Sequence, residues 1–149
     1  MTRYVVDASV AVKWFLPEVH DPEALRLLSD DTELLAPDLV VSEVGNILWK
    51  RVRAGDVSET EGEAVLQAFG RLRLAITPSA SLILPAFAIA CQTQRTVYDS
   101  QYLALALRES ALLVTADEKF CNALAGTPLA RSVLWIGDVP DVADPKQPS

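Results

Sequence analysis

Four carboxylates stand where a surface acid has little reason to be: Asp7, Glu43, Asp99 and Asp117. Asp7 directly follows the β-forming run Tyr4-Val5-Val6, and Asp117 follows Leu112-Leu113-Val114. Parallel α/β sheets bind ligands beyond the carboxyl ends of their strands, so both residues fall where a site would be. A short acid between strand and helix also serves as an N-cap, and either role suits these two. Glu43 has Leu39, Val40 and Ile47 at helical spacings of four, three and four, which sets its carboxylate on or beside a buried face. Burying an unpaired carboxylate is costly, so Glu43 needs a partner or a route to solvent. Asp99 shares a helical face with Tyr102 and Leu103, and Thr96-x-x-Asp99 also matches a capping box.

Asp99 begins a helix that leads into the Leu112 strand, which returns it to the sheet edge that carries Asp7 and Asp117. Glu43 lies about five residues inside its helix, roughly 8 Å from that edge, and a glutamate's extra reach closes the gap. Four converging carboxylates repel one another and raise their own pKa values unless a cation joins them. An oxygen-only donor set without His or Cys selects Mg²⁺ or Mn²⁺. Such an ion lowers the pKa of a bound water and steadies the leaving oxygen of a phosphodiester, which is nuclease chemistry.

The elements that must position these residues follow from apolar periodicity. Short apolar runs alternate with helical segments, the pattern of a parallel sheet covered by helices. Strands are expected at Tyr4–Val6, Glu33–Ala36, Leu74–Ile76, Leu112–Val114 and Val133–Ile136. Helices are expected over Ser9–Phe15, from an Asp21 N-cap to about Asp30, and from Pro37-Asp38 through Arg53. Further helices follow from a Ser58/Glu61 capping box to Gly70, over Ala80–Gln94, from Val97, and over Asp117–Ala125. Residues 1–139 form one expected domain, and the Pro-rich stretch 140–149 an expected loose tail.

Composition sets the outer bounds. The 149 residues suffice for one domain with a sizeable core. Thirteen basic against 20 acidic residues give a net charge of −7, which argues against gripping nucleic acid by bulk charge. Metal ions answer that objection locally. Two cysteines, Cys91 and Cys121, are expected as free, buried thiols, and the single His20 as a surface residue. No signal peptide or membrane span is evident, so a soluble, cytoplasmic protein is expected.

The chain resembles the PIN-domain family, and within it the VapC-type toxin ribonucleases of toxin–antitoxin pairs. Carrying the resemblance are Val6-Asp7-Ala8-Ser9-Val10 with Lys13-Trp14-Phe15, Ser42-Glu43 inside an apolar helix, Tyr98-Asp99-Ser100 with Tyr102-Leu103-Ala104-Leu105-Ala106, and Thr115-Ala116-Asp117 with Phe120. Their order and spacing run over roughly residues 3 to 136. The resemblance implies a three-layer α/β/α fold with a five-stranded parallel sheet of order 3-2-1-4-5. It implies Asp7, Glu43, Asp99 and Asp117 as Mg²⁺/Mn²⁺ ligands and catalytic residues, with Ser9 and Thr115 as supporting hydroxyls. It also implies an RNA substrate, a homodimer, and an antitoxin partner through which any DNA contact is made.

For the RNA backbone the candidates are Lys13, Lys50, Arg51 and Arg53, with Arg71, Arg73, Arg95 and Arg108 more scattered. The Lys50–Arg53 group is equally well explained as cations at a helix C-terminus. Trp14, Trp49 and Trp135 suit core packing or a dimer interface better than base stacking. Other readings are a non-catalytic metal- or protein-binding module, a housekeeping RNA-processing nuclease, and an acid-nucleophile phosphatase. The phosphatase fits poorly, because Asp7-Ala8-Ser9 lacks the Asp-x-Asp such enzymes show.

Overall fold

The run Tyr4-Val5-Val6 ends β1 (Thr2–Val6), and the computed structural model, which describes residues 1–141, sets that strand at the centre of a sheet. β1 pairs in parallel with β2 (Thr32–Pro37) on one side and β4 (Leu112–Thr115) on the other. β3 (Leu74–Thr77) and β5 (Val133–Trp135) complete the parallel order β3-β2-β1-β4-β5. Val5 aligns with Leu35 and Leu113, and all three are buried. Successive strand side chains point to opposite faces, so Val5 and Val6 enter different apolar clusters.

The Val5 side is covered by α3 (Leu39–Arg53), α4 (Glu59–Phe69), α5 (Ile83–Thr93) and α6 (Val97–Arg108). The Val6 side is covered by α2 (Asp21–Arg26) and the turn Ile136–Asp138. The short helices α1 (Ala8–Ala11) and α7 (Glu118–Leu124) leave the ends of β1 and β4. The result is the expected three-layer α/β/α arrangement. Helix α6 is buried from Ser100 through Ala106. Its fully buried Leu103 and Leu105 each contribute about 2 kcal/mol. That burial fixes where Asp99, the residue before it, must lie.

Helix ends account for most differences from the sequence reading. α3 stops at a Schellman turn: Gly55 has φ +83°, its N–H bonds Val52, and the Asp56 N–H bonds Arg51. Asp38 precedes α3 yet does not cap it; its carboxylate accepts from the N–H (3.0 Å) and hydroxyl of Ser79. Asp21 is the first residue of α2 rather than its cap, and it accepts from the Glu18 N–H at 2.9 Å. The preceding residue, His20, is half-buried rather than a plain surface residue. It lies 3.3 Å from Glu23 and edge-on to Trp135, with ring centroids 4.9 Å apart.

Helix α5 begins at Ile83 instead of Ala80. That puts Pro85 third in the helix, where a missing N–H costs no internal bond. Cys91 is exposed, contrary to its expected burial, and both cysteines are free. No helix among the described residues is long and apolar enough to cross a membrane. The tail expected over 140–149 lies, beyond Asp141, outside the described residues.

Candidate active site

Asp7 leaves the carboxyl end of β1 and caps α1. Its Oδ1 accepts from the Val10 N–H at 3.1 Å and from the Ser9 hydroxyl at 2.6 Å. Its Oδ2 accepts from the Thr115 hydroxyl. Because Val6 registers with Val114, Thr115 emerges from β4 directly beside Asp7. The two hydroxyls also tie down the next turn of chain: Thr115 Oγ1 accepts the Asp117 N–H at 3.1 Å, and Ser9 Oγ accepts the Ala116 N–H at 3.3 Å. Asp117 caps α7 with one oxygen, accepting from the Phe120 N–H at 3.1 Å, which leaves Oδ2 free to face elsewhere. Capping and site-building are therefore compatible at both residues.

Glu43 projects from α3 toward α6, where Oε1 accepts from the Tyr102 hydroxyl at 2.5 Å. Thr96 caps α6 by accepting the Asp99 N–H at 3.1 Å, which holds Asp99 in the first turn. The electrostatics show how near these groups lie. Burial pushes the Asp7 carboxyl above its ordinary range; bonds from Ser9, Thr115 and Val10 pull it back, and the charge of Asp99 adds to the rise. Burial likewise raises Glu43, opposed by Tyr102 and reinforced by Asp7 and Asp99. The Tyr102 hydroxyl is pushed far above any accessible pH, by burial first and by Glu43 next. Asp7, Glu43 and Asp99 thus share one electrostatic neighbourhood.

Asp117 joins them through Arg95, whose Nη2 donates to Asp99 Oδ2 at 2.9 Å and to Asp117 Oδ2 at 3.1 Å. The guanidinium lies over the Phe120 ring, 5.0 Å from its centroid. In the sequence Arg95 is one of several scattered cations, and its i, i+4 spacing to Asp99 is the local signal that marks it out. As the side chains stand, no three carboxylates among the described residues already form a cage for one ion. Asp99 and Asp117 are turned to Arg95, Glu43 to Tyr102, and Asp7 to two hydroxyls. The donor chemistry nonetheless fits a hard divalent cation: oxygens only, mutually repelling, with Asp99 and Asp117 side chains 35% and 43% exposed.

The expected RNA-facing cations divide. Lys13 is buried, and its ammonium is held by Glu18 at 3.1 Å and the Val19 carbonyl at 2.6 Å. Arg51 reaches the same Glu18. Lys13, a candidate for RNA contact, thus has its ammonium engaged inside the fold: a lysine between Val12 and Trp14 is drawn inward with its stem and finds an acid there. Arg53 lies over the exposed Trp49 ring at 5.1 Å. Lys50 is exposed and lines a groove of about 370 Å³ with Leu39, Ser42, Glu43, Asn46, Ile47 and Tyr98, leading from the acidic edge along α3.

Residues 4–124 match the PIN domain family, and the chain belongs to that family. Within it, the chain is 35% identical over 122 residues to the ribonuclease VapC3 of Pyrobaculum aerophilum, covering 80% of this chain and 93% of that one. It is 32% identical over 113 residues to the ribonuclease VapC9 of Mycobacterium tuberculosis, covering 76% and 84%. Among solved structures, PAE2754 from Pyrobaculum aerophilum superposes with a TM-score of 0.68 at 21% identity, covering 91% of this chain and 85% of that one. VapBC2 from Rickettsia felis, solved on a DNA fragment from its promoter, gives 0.61 at 17% identity, covering 90% and 98%. These structural likenesses support the fold.

Proposed function

We propose that this chain is a metal-dependent endoribonuclease and the toxin of a toxin–antitoxin pair. What supports this reading is that Asp7, Glu43 and Asp99 influence one another's charge at the carboxyl edge of a PIN-domain sheet, with Asp99 and Asp117 bridged by Arg95. Its relatives named as VapC ribonucleases support the same substrate class. The four carboxylates would hold Mg²⁺ or Mn²⁺. When bound, such a cation supplies the charge that acidifies a water and stabilises the leaving oxygen of a phosphodiester.

The chain's own residues do the rest. Ser9 and Thr115 hold Asp7 in one orientation, so its oxygens are aimed before any ligand arrives. Tyr102 orients Glu43 across the interface of two helices. Lys50, in the groove beside Glu43, meets the RNA backbone, with Arg51 and Arg53 at the far end of the same helix. The partners are RNA, a cognate antitoxin that blocks the site, and a second copy of the chain; the working compartment is the cytoplasm. Residues 1–139 form the nuclease domain.

The test is incubation of the purified chain with a mixed pool of structured RNA under Mn²⁺, Mg²⁺ or EDTA, beside Asp99→Asn. Cleavage that requires metal and falls at least about 100-fold in the variant, with the fold retained, is the expected result. Equal cleavage by variant and parent refutes the site.

A further inference from the structure

The acidic edge carries a cation of its own. Arg95 sits in the short link between Gln94, which ends α5 at φ +63°, and Thr96, which caps α6. Its side chain therefore springs from a chain reversal rather than from a helix. Both of its site contacts leave from the single nitrogen Nη2, so the two Oδ2 atoms it bridges lie within about 6 Å of each other. Its Nε–H is buried and has no hydrogen-bond partner among the described residues. A guanidinium placed to grip a carboxylate permanently uses two nitrogens in a fork. Arg95 instead straddles two carboxylates from different elements with one nitrogen and leaves a buried donor unsatisfied.

The exposure of the three partners points the same way. The side chains of Arg95, Asp99 and Asp117 are 22%, 35% and 43% exposed, so solvent screens the contact and an ion from solution can reach it. We propose that Arg95 is an exchangeable counter-cation that competes with the divalent ion for Asp99 and Asp117. Without metal it neutralises the repulsion between those residues and keeps the edge folded. Ion binding must first displace it, so Arg95 sets the metal affinity of the site. This inference rests on the metal-dependent reading above.

The experiment is calorimetric titration of Mn²⁺ into metal-stripped parent, Arg95→Gln and Arg95→Lys. Arg95→Gln is expected to bind about tenfold more tightly, because the fraction of molecules with a free site no longer limits the affinity. Arg95→Lys falls between. In EDTA the melting temperature of Arg95→Gln drops below the parent's, and saturating Mn²⁺ narrows the gap. Equal or weaker Mn²⁺ binding by Arg95→Gln overturns the exchange. No Mn²⁺ binding by the parent overturns the metal-site reading itself, and the exchange with it. Should Arg95→Gln fail to fold, the parent decides: the Arg95 Nε–H resonance must move during a Mg²⁺ titration, and its constancy through saturation overturns the proposal.

Discussion

The Thr115 hydroxyl donates to Asp7 across 108 positions of sequence, while its oxygen accepts the Asp117 N–H at 3.1 Å. One fully buried hydroxyl thus aligns two of the four carboxylates. Thr115→Val keeps the shape and removes both bonds, stranding an acceptor on Asp7 and the N–H of Asp117. It is expected to lower stability by about 2 kcal/mol and Mn²⁺ affinity by about tenfold. Urea unfolding and calorimetry check this, and Thr115→Ser should restore most of both. A Val variant that binds Mn²⁺ like the parent would show that Asp7 needs no such alignment.

Tyr102 is the counterpart on the other side of the site. Tyr102→Phe removes the one bond that opposes burial and the charges of Asp7 and Asp99 at Glu43. The Glu43 carboxyl then moves further up, so Mn²⁺ binding should weaken more at pH 6 than at pH 8. A loss of equal size at both pH values would contradict the electrostatic account.

The raised pKa values of Asp7 and Glu43 have a defined consequence for stability. In the folded chain these groups hold their protons to higher pH than in the unfolded chain. Their contribution to stability is therefore fully present below the ordinary carboxylate range and is lost as pH rises through their folded values. Metal-free protein should gain stability from these two groups on moving from pH 7.5 toward pH 5. Ion binding should run oppositely, since the ligands must be deprotonated. Denaturant titrations in EDTA across this range, on the parent and on Asp7→Asn, test the sign; the variant should show the shallower dependence.

Lys13 and Lys50 separate structure from RNA contact. Lys13→Ala removes charge-assisted bonds to Glu18 and Val19 and should cost about 2 kcal/mol. Lys50→Ala should leave stability within about 0.5 kcal/mol and weaken RNA binding, with a smaller dependence on salt. The converse pattern in melting and filter-binding measurements would return Lys13 to the RNA-facing set.

The positions of the four acids are readable from sequence because each breaks a local pattern. Asp7 and Asp117 follow apolar strands, Glu43 interrupts an apolar helix face, and Asp99 opens a helix buried from Ser100 through Ala106. The parallel sheet is readable because Tyr4-Val5-Val6, Leu34-Leu35-Ala36 and Leu112-Leu113-Val114 are short apolar runs between helical segments. What is not readable depends on partners from elsewhere in the fold. Arg95 meets Asp117 at a separation of 22 residues and Tyr102 meets Glu43 at 59, and neither pairing leaves a trace in local spacing. Lys13 misleads because a lysine with apolar neighbours looks alike whether its tip reaches water or a buried acid. Asp21 misleads in a related way: turn chemistry is visible in sequence, but the choice of donor is not.

The pairing of β1 with β4 joins the first strand of the chain to one that begins at Leu112. A polypeptide emerging from a ribosome therefore makes Asp7 early and cannot align it until Thr115 has appeared. The acidic edge is therefore assembled only after β4 and the turn to Asp117 have been made, and a nascent chain that has not reached them holds Asp7 without its Thr115 partner.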